Sequence, residues 1–314
     1  MTTLFVASIG GHLAELHALR PRLEGITGDR EVWVSFDSEQ SRGLLAGERF
    51  IAVRYTAPRD YRNVARNLLT APRILRKEGV DCLVTTGAAI ALSFMPVARA
   101  LGIPTHYVES LARFDGPSTT GRAARRIPGV QRYTQTPSWA DAHWHYAGSV
   151  LDGFEVEPVP RDPQVRRVVV TTGTSRRYPF RRLVERLVDV LPGDAEVLWQ
   201  TGITPVGDLG VSPADPIEWA ELNRAIERAD VVVAHAGVGS AIAALEAGKC
   251  PVLVPRSLAH GENVDDHQRQ LARELDARGL AIAVESDRLD LAHLLDASTR
   301  RTRRVAAPPP FRLH

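Results

Sequence analysis

Asp230-Val231-Val232-Val233-Ala234 runs straight into His235-Ala236-Gly237-Val238-Gly239-Ser240 and then an apolar helix. A strand with no polar alternation is one buried on both faces, as in a parallel sheet covered by helices. A glycine corner that leaves such a strand and enters a helix presents free backbone N–H groups at the positive end of the helix dipole, a place for a phosphate. A tight turn without any ligand gives the same local pattern, so a second piece matters. Residues 251–255 read as another buried strand, Arg256 follows, and Asp266-His267-Gln268 opens a helix over 265–278. Both helix starts fall on one sheet edge, where open α/β sheets bind ligands. One can hold a diphosphate; the other offers a carboxylate, an imidazole and an amide to sugar hydroxyls.

The same rhythm covers the chain. Strands are expected over 4–8, 31–36, 50–54, 82–86, 104–109 and 131–135, with helices from residue 11, over 61–77 with a break near Pro72, and over 90–100. Residues 151–165, with Pro158, Pro160 and Pro163 and no periodicity, read as a linker. Strands over 167–171, 196–200 and 280–284 and helices over 180–191 and 219–228 complete a second alternation. Helices between strands at this spacing mean parallel sheets with right-handed crossovers. The expected division is residues 1–150, a linker 151–165, a second domain 166–298, and a disordered tail 299–314 with five Arg and no acid.

Composition narrows the function classes. Apolar content of 44% and charged content of 24% are those of a soluble globular chain. No stretch approaches the roughly 18 apolar residues of a membrane span. Residues 1–7 lack the basic start of a signal peptide, and Cys82 and Cys250 read as buried thiols, so a cytoplasmic protein without a metal cluster is expected. Residues 1–150 carry 18 Arg/Lys against 13 Asp/Glu, and residues 151–314 carry 21 against 24. A basic first half suits nucleic acid, an anionic membrane or a pyrophosphate-linked lipid.

Gly10 and Gly11 let the backbone turn beside a ligand, and His12 stands at the helix start that follows. The dipole there favours neutral imidazole, the form a general base needs. Glu15, one turn on, is placed to orient His12 or to bind a hydroxyl. Arg113 and Arg122 offer guanidinium forks suited to an acceptor's phosphate oxygens.

The glycine corner at 235–240 with Asp266-His267-Gln268 resembles the donor-binding half of the family 28 glycosyltransferases. The run from Gly10 to Gly148, with Thr86-Gly87, Glu109-Ser110, Thr120-Gly121 and Gln135, resembles the acceptor-binding subunit of the dolichol-linked chitobiose synthase, and residues 168–295 resemble its donor-binding partner. The bacterial exopolysaccharide glycosyltransferase pairs share both halves. The resemblance implies a fused pair of GT-B architecture, two Rossmann-like domains with parallel sheets facing across a cleft. It implies a UDP-sugar donor gripped by Thr172-Gly173-Thr174-Ser175, by His235, Gly237, Val238, Gly239 and Ser240, and by Glu262, Asp266, His267 and Gln268, with Glu246 as a candidate for the ribose and Glu109 beside the acceptor.

The expected activity is inverting transfer of a sugar from a UDP-sugar to a hydroxyl of a polyprenyl-diphosphate-linked sugar, without metal or other cofactor. His12 is the expected base, and the chain is expected to sit peripherally on the cytoplasmic membrane face. The helix 61–77 would make that contact through Arg62, Arg66, Arg73, Arg76 and Lys77, with Leu68 and Leu69 as insertable groups. With a lipid-linked acceptor expected, nucleic acid is not; a homodimer stays open. Open alternatives are a nucleotide-sugar epimerase of the same architecture, a transferase acting on a soluble small molecule, and a non-catalytic nucleotide-sugar-binding partner.

Overall fold

The computed structural model describes residues 1–24, 28–57, 60–160, 162–173, 177–214, 217–263 and 266–313. The chain forms two compact units, residues 1–152 with 308–314, and residues 153–307.

In unit 1, strands β1 (Thr2–Val6), β2 (Leu23–Glu24), β3 (Arg30–Phe36), β4 (Phe50–Val53), β5 (Cys82–Thr85), β6 (Thr105–Val108), β7 (Val130–Thr134) and β8 (His145–Tyr146) alternate with helices. The helices are α1 (Gly11–Leu19), α2 (Glu39–Leu44), α3 (Tyr61–Lys77), α4 (Ala88–Ala100) and α5 (Thr119–Ala124). Seven strands make a parallel sheet in the order β4-β3-β1-β5-β6-β7-β8. The winding reverses between β1 and β5, so the loops leaving these two strands lie side by side at the carboxyl edge. Leu4, Val6, Val32, Val34 and Leu83 pack against Leu75 of α3 and Ile90 and Phe94 of α4. Helix α3 runs through Pro72 without the expected break. A proline removes one backbone bond, but Ala71 and Leu75 on either side of it are buried and Asp60 caps the first turn, which holds the helix across that gap.

Unit 2 contains β9 (Phe154–Pro158), β10 (Arg167–Thr171), β11 (Glu196–Gln200), β12 (Val231–Ala234), β13 (Val252–Leu253), β14 (Ile282–Ala283) and β15 (Arg300–Arg304). Its helices are α6 (Arg181–Val190), α7 (Trp219–Arg228), α8 (Val238–Glu246), α9 (His267–Ala277) and α10 (Leu291–Ser298). A parallel sheet runs β11-β10-β12-β13-β14, reversing between β10 and β12. Successive side chains of a strand point to opposite faces. Val168, Val170, Val231 and Val233 accordingly join one core with Leu183 and Leu187, while Val169 and Val232 join the other with Leu222, Ile226 and Ala244. Burial on both faces is why these strands read as unbroken apolar runs.

The expected linker and tail are corrected. β9 and β15 form an antiparallel ribbon, with Phe154 opposite Arg304 and Pro158 opposite Arg300. The strand β16 (Phe311–Arg312) pairs with β2 in unit 1. The tail's arginines have carboxylates to meet: Arg300 with Asp296, Arg303 with Glu155 and Glu157, Arg304 with Glu246. Composition shows a tail of uncompensated charge because its counter-ions lie elsewhere in the sequence. Both cysteines are free and buried, as expected. No described helix is long and apolar enough to cross a membrane.

Candidate functional site

In unit 1 the site lies where β1 and β5 end. Gly10 has φ 87° and ψ −139°, a conformation open to glycine alone, and its peptide is clamped by Gln40: its N–H donates to Oε1 at 2.5 Å and its carbonyl accepts from Nε2 at 3.0 Å. Gly87 repeats that geometry (φ 104°, ψ −140°) before α4, where a Cβ would also press on the Tyr107 hydroxyl at 2.9 Å. Helices α2, α3 and α5 have side-chain caps from Ser38, Asp60 and Ser118, whereas α1 and α4 have none. Their first N–H groups are left for a ligand, the arrangement that binds anions.

His12 is partly buried between these two helix starts. Its Nδ1 lies 2.8 Å from the Thr86 carbonyl, and Thr86 Oγ1 donates to the His12 carbonyl at 2.9 Å. A carbonyl only accepts, so the Nδ1 proton is fixed and Nε2 keeps its lone pair. Burial lowers the His12 pKa, Arg113 lowers it further, and the Thr86 bond opposes them. The residue that orients His12 is thus Thr86, and burial comes before the helix dipole as the reason it stays neutral.

Glu15 is corrected on this point. It is fully buried and accepts from Leu111 N at 2.7 Å, Ser110 Oγ at 3.0 Å and Gln135 Nε2, so it braces the loop after β6 rather than His12. Burial pushes its pKa up to about 8 against those three donors, with Glu109 adding to the rise. Glu109, expected beside the acceptor, is also corrected. Its oxygens accept from the Tyr107 hydroxyl and from the amides of Ser110 and Ser118, and it is 1% exposed. A Cβ on Gly121 would come within 2.1 Å of Glu109 Oε2, which is why glycine stands there. Arg113 does reach the His12 region, since its charge is felt by that ring. Arg122 is exposed and, among the described residues, bonds its own turn at Pro117 O and Thr119 Oγ1, so it is not brought to His12.

In unit 2 the loops leaving β10, β12 and β13 meet at the carboxyl edge. The His235 ring stands between two glycines: a Cβ on Gly173 would lie 2.4 Å from its Cε1, and one on Gly237 would lie 2.3 Å from its Nε2. Burial, then the charge of Arg256, hold its pKa down to about 3. His235 is therefore a neutral strut that shapes the corner. Ala236 adopts φ 55°, a left-handed turn that a non-glycine residue enters at a cost. Helix α8 then starts at Gly237 without a side-chain cap, leaving the first-turn N–H groups of Val238, Gly239 and Ser240 unpaired within the helix.

Four donor-side expectations change. Thr172 is 1% exposed; its N–H donates to Gln200 O, its hydroxyl to Thr201 O, and its carbonyl accepts from Arg256. Glu262 accepts a two-pronged bond from Arg182, both arms 2.8 Å, and one from Ser257 N. Glu246 ends α8, about 14 Å of helix from Gly237 at 1.5 Å per residue, and is ion-paired with Arg304. Gln268 is buried with its Oε1 accepting from Arg256 N at 3.0 Å. At the start of α9, Asp266 is exposed and His267 is near enough to depress His235. Thr174 and Ser175 lie outside the described residues.

Residues 167–304 match the model of the glycosyltransferase family 28 C-terminal domain. The match spans most of unit 2. The chain is 26% identical over 248 residues to the UDP-N-acetylglucosamine–N-acetylmuramyl-(pentapeptide) pyrophosphoryl-undecaprenol N-acetylglucosamine transferase of Chlorobium luteolum, covering 72% of this chain and 65% of that protein. An 82-residue stretch, 26% of this chain and 37% of the relative, is 40% identical to the UDP-N-acetylglucosamine transferase subunit ALG13 of Eremothecium gossypii. Among solved structures, MurG of Acinetobacter baumannii matches with a TM-score of 0.57 at 20% identity, over 94% of this chain and 89% of that one. The UDP-GlcNAc 2-epimerase of Neisseria meningitidis matches with a TM-score of 0.58 at 12% identity, over 94% and 90%. By these likenesses the chain has the GT-B fold.

Thr86, Gln40, Gln135 and Arg256 are the participants to which the sequence assigned no role. Arg256 stood inside the recognised pattern and Thr86-Gly87 was part of it, but their roles depend on contacts across the sheet edge.

Proposed function

We propose that this chain is an inverting glycosyltransferase that moves a sugar from a UDP-sugar to a hydroxyl of a lipid-linked sugar acceptor. The observation that carries the reading is the His12–Thr86 pair, a neutral imidazole with Nδ1–H anchored and Nε2 open, in a chain whose other unit matches the family 28 model over most of its length. The relatives named for UDP-N-acetylglucosamine transfer to an undecaprenyl-linked acceptor support the substrate class, and UDP-N-acetylglucosamine is the first donor to try.

His12 Nε2 takes the acceptor's hydroxyl proton as the oxygen forms its bond to the anomeric carbon. The bond from that carbon to the β-phosphate oxygen breaks with its electron pair on UDP, and in-line attack inverts the configuration. The uncapped start of α8 faces the charge that grows on the diphosphate, so no metal is invoked. The acceptor is met at a membrane surface, a reading supported by the exposed Arg62, Arg66, Arg73, Arg76 and Lys77 of α3 and by Leu69, which is 78% exposed on the same helix.

The test is incubation with a panel of UDP-sugars and a membrane lipid extract, reading lipid mass gain and UDP release together. Mass gain of one sugar residue is the expected result. UDP-sugar isomerisation without acceptor would point to an epimerase, and transfer to a water-soluble acceptor alone would remove the lipid from the reading.

A further inference from the structure

Arg256 is 4% exposed, and among the described residues no carboxylate pairs with it. Its Nη2 donates to the Thr172 carbonyl at 2.5 Å, its guanidinium lies over the Phe180 ring at 5.7 Å from the centroid, and its buried Nε has no hydrogen-bond partner among the described residues. Glu262 is the acid whose charge it feels, but that carboxylate is held by the Arg182 fork and by Ser257 N. A buried cation without a counter-ion is costly and is retained where an anion completes it. Burial accordingly pushes the guanidinium down to about 10, still charged at neutral pH, and its field reaches His235 at the glycine corner.

Its surroundings fix the place of that charge. The Thr172 carbonyl comes from the loop after β10, Phe180 from the start of α6, and Gln268 from the first turn of α9, whose Oε1 holds the Arg256 amide. Arg256 itself follows β13, so two connections of the carboxyl edge meet at this residue: the one after β10 touches its guanidinium through Thr172 and Phe180, and Gln268 holds its backbone amide.

We propose that Arg256 is a positioning residue for the diphosphate: it supplies a fixed positive charge behind the Gly173 and Gly237 turns and holds the Thr172 carbonyl so that the loop after β10 keeps its shape. The proposal rests on unit 2 binding a nucleoside diphosphate. It assigns to one side chain the charge that sets the preference for a diphosphate over the uncharged nucleoside. In the water-poor interior that charge acts through space with little screening.

The experiment is calorimetric titration of the full chain and of its Arg256→Gln and Arg256→Lys variants with UDP, UMP and uridine. Arg256→Gln should lose about tenfold to a hundredfold in UDP affinity, the range for an interaction with a charged group, and less for UMP. Its uridine affinity should stay within about twofold, because loop collapse alone would weaken all three ligands alike. Arg256→Lys, which keeps the charge but not the fork, should recover part of the UDP loss and guards against a misfolded glutamine variant. Equal losses for uridine and UDP, or no loss in either variant, would overturn the assignment. Failure of the unaltered chain to bind UDP would instead overturn the reading beneath it.

Discussion

His12 and Thr86 hold each other through two hydrogen bonds, Nδ1 to the Thr86 carbonyl at 2.8 Å and Thr86 Oγ1 to the His12 carbonyl at 2.9 Å. The pair ties the loop after β1 to the loop after β5, where the winding of the sheet reverses. It fixes a tautomer and a ring orientation together. His12→Ala should lower kcat by about 100- to 10,000-fold, the worth of a placed general base, while UDP affinity stays within about twofold. Thr86→Val, which keeps the carbonyl and loses only Oγ1, should cost far less. Because burial lowers the His12 pKa, the base form persists below pH 6.5, and the acid limb of the kcat/KM profile should fall at lower pH than for an ordinary histidine. A limb at or above 6.5, or unchanged turnover in His12→Ala, would remove the residue from the mechanism.

His235 and Gly237 set up a second, independent test. A Cβ at 237 meets the His235 ring at 2.3 Å, so Gly237→Ala should destabilise by about 1–3 kcal/mol through overpacking. Removing the ring relieves that clash. In a double-mutant cycle by urea denaturation, His235→Ala with Gly237→Ala should therefore be less destabilised than the sum of the two single variants. Additive losses would mean that the ring and the glycine are not matched to each other.

Glu15 predicts a pH dependence of stability rather than of catalysis. Its pKa rises from the ordinary 4.5 to about 8 in the folded chain. A raised pKa means that the native state holds the proton more tightly than the unfolded one. The contribution is fully present below 4.5, declines above it, and is lost as pH rises through about 8. Thermal melting across pH 5–9 should show Tm falling for the unaltered chain, with a shallower slope for Glu15→Gln, which cannot ionise. Parallel slopes would show that Glu15 is not the group responsible.

Much of unit 2 is legible in the sequence, because a strand covered on both faces must be apolar at every position and its glycine corner has few other readings. The fate of the polar residues is not. Thr86 lies 74 positions from His12, Glu262 pairs with Arg182 80 positions away, and Glu246 pairs with Arg304 58 positions away. Each of these depends on which strands become neighbours. A glutamate with no visible partner in the sequence looks free to bind a sugar; once folded, Glu262 and Glu246 are taken by arginines and Glu15 and Glu109 by loop amides and hydroxyls. Glycine corners survive the comparison better than carboxylates because their requirement is local backbone geometry.

For α3 the proposed membrane contact is electrostatic with an apolar component. In co-sedimentation with vesicles, binding should rise with the fraction of anionic lipid and weaken with salt. Reversing Arg62, Arg66 and Arg73 to Glu should abolish it. Leu69→Ser should weaken it by severalfold without changing the melting temperature, since that side chain is 78% exposed. Binding to neutral vesicles that ignores the arginines would remove α3 as the contact.

Phe311 makes the C-terminal segment part of unit 1. Its side chain is fully buried, β16 pairs with β2 through Leu23 and Glu24, and Arg22, itself buried, donates from Nε to the Pro309 carbonyl at 3.0 Å. Arg22 also donates from Nη1 to the Ser149 carbonyl at 2.5 Å, so one guanidinium holds the chain on both sides of its passage through unit 2. Phe311→Ala leaves a cavity in a packed site and should cost about 3–5 kcal/mol. Removal of residues 308–314 would also strip Arg22 of a carbonyl partner, so its loss should be at least as large. Urea titration of both variants measures this, and a tail that could be cut without loss of stability would contradict the packing of Phe311.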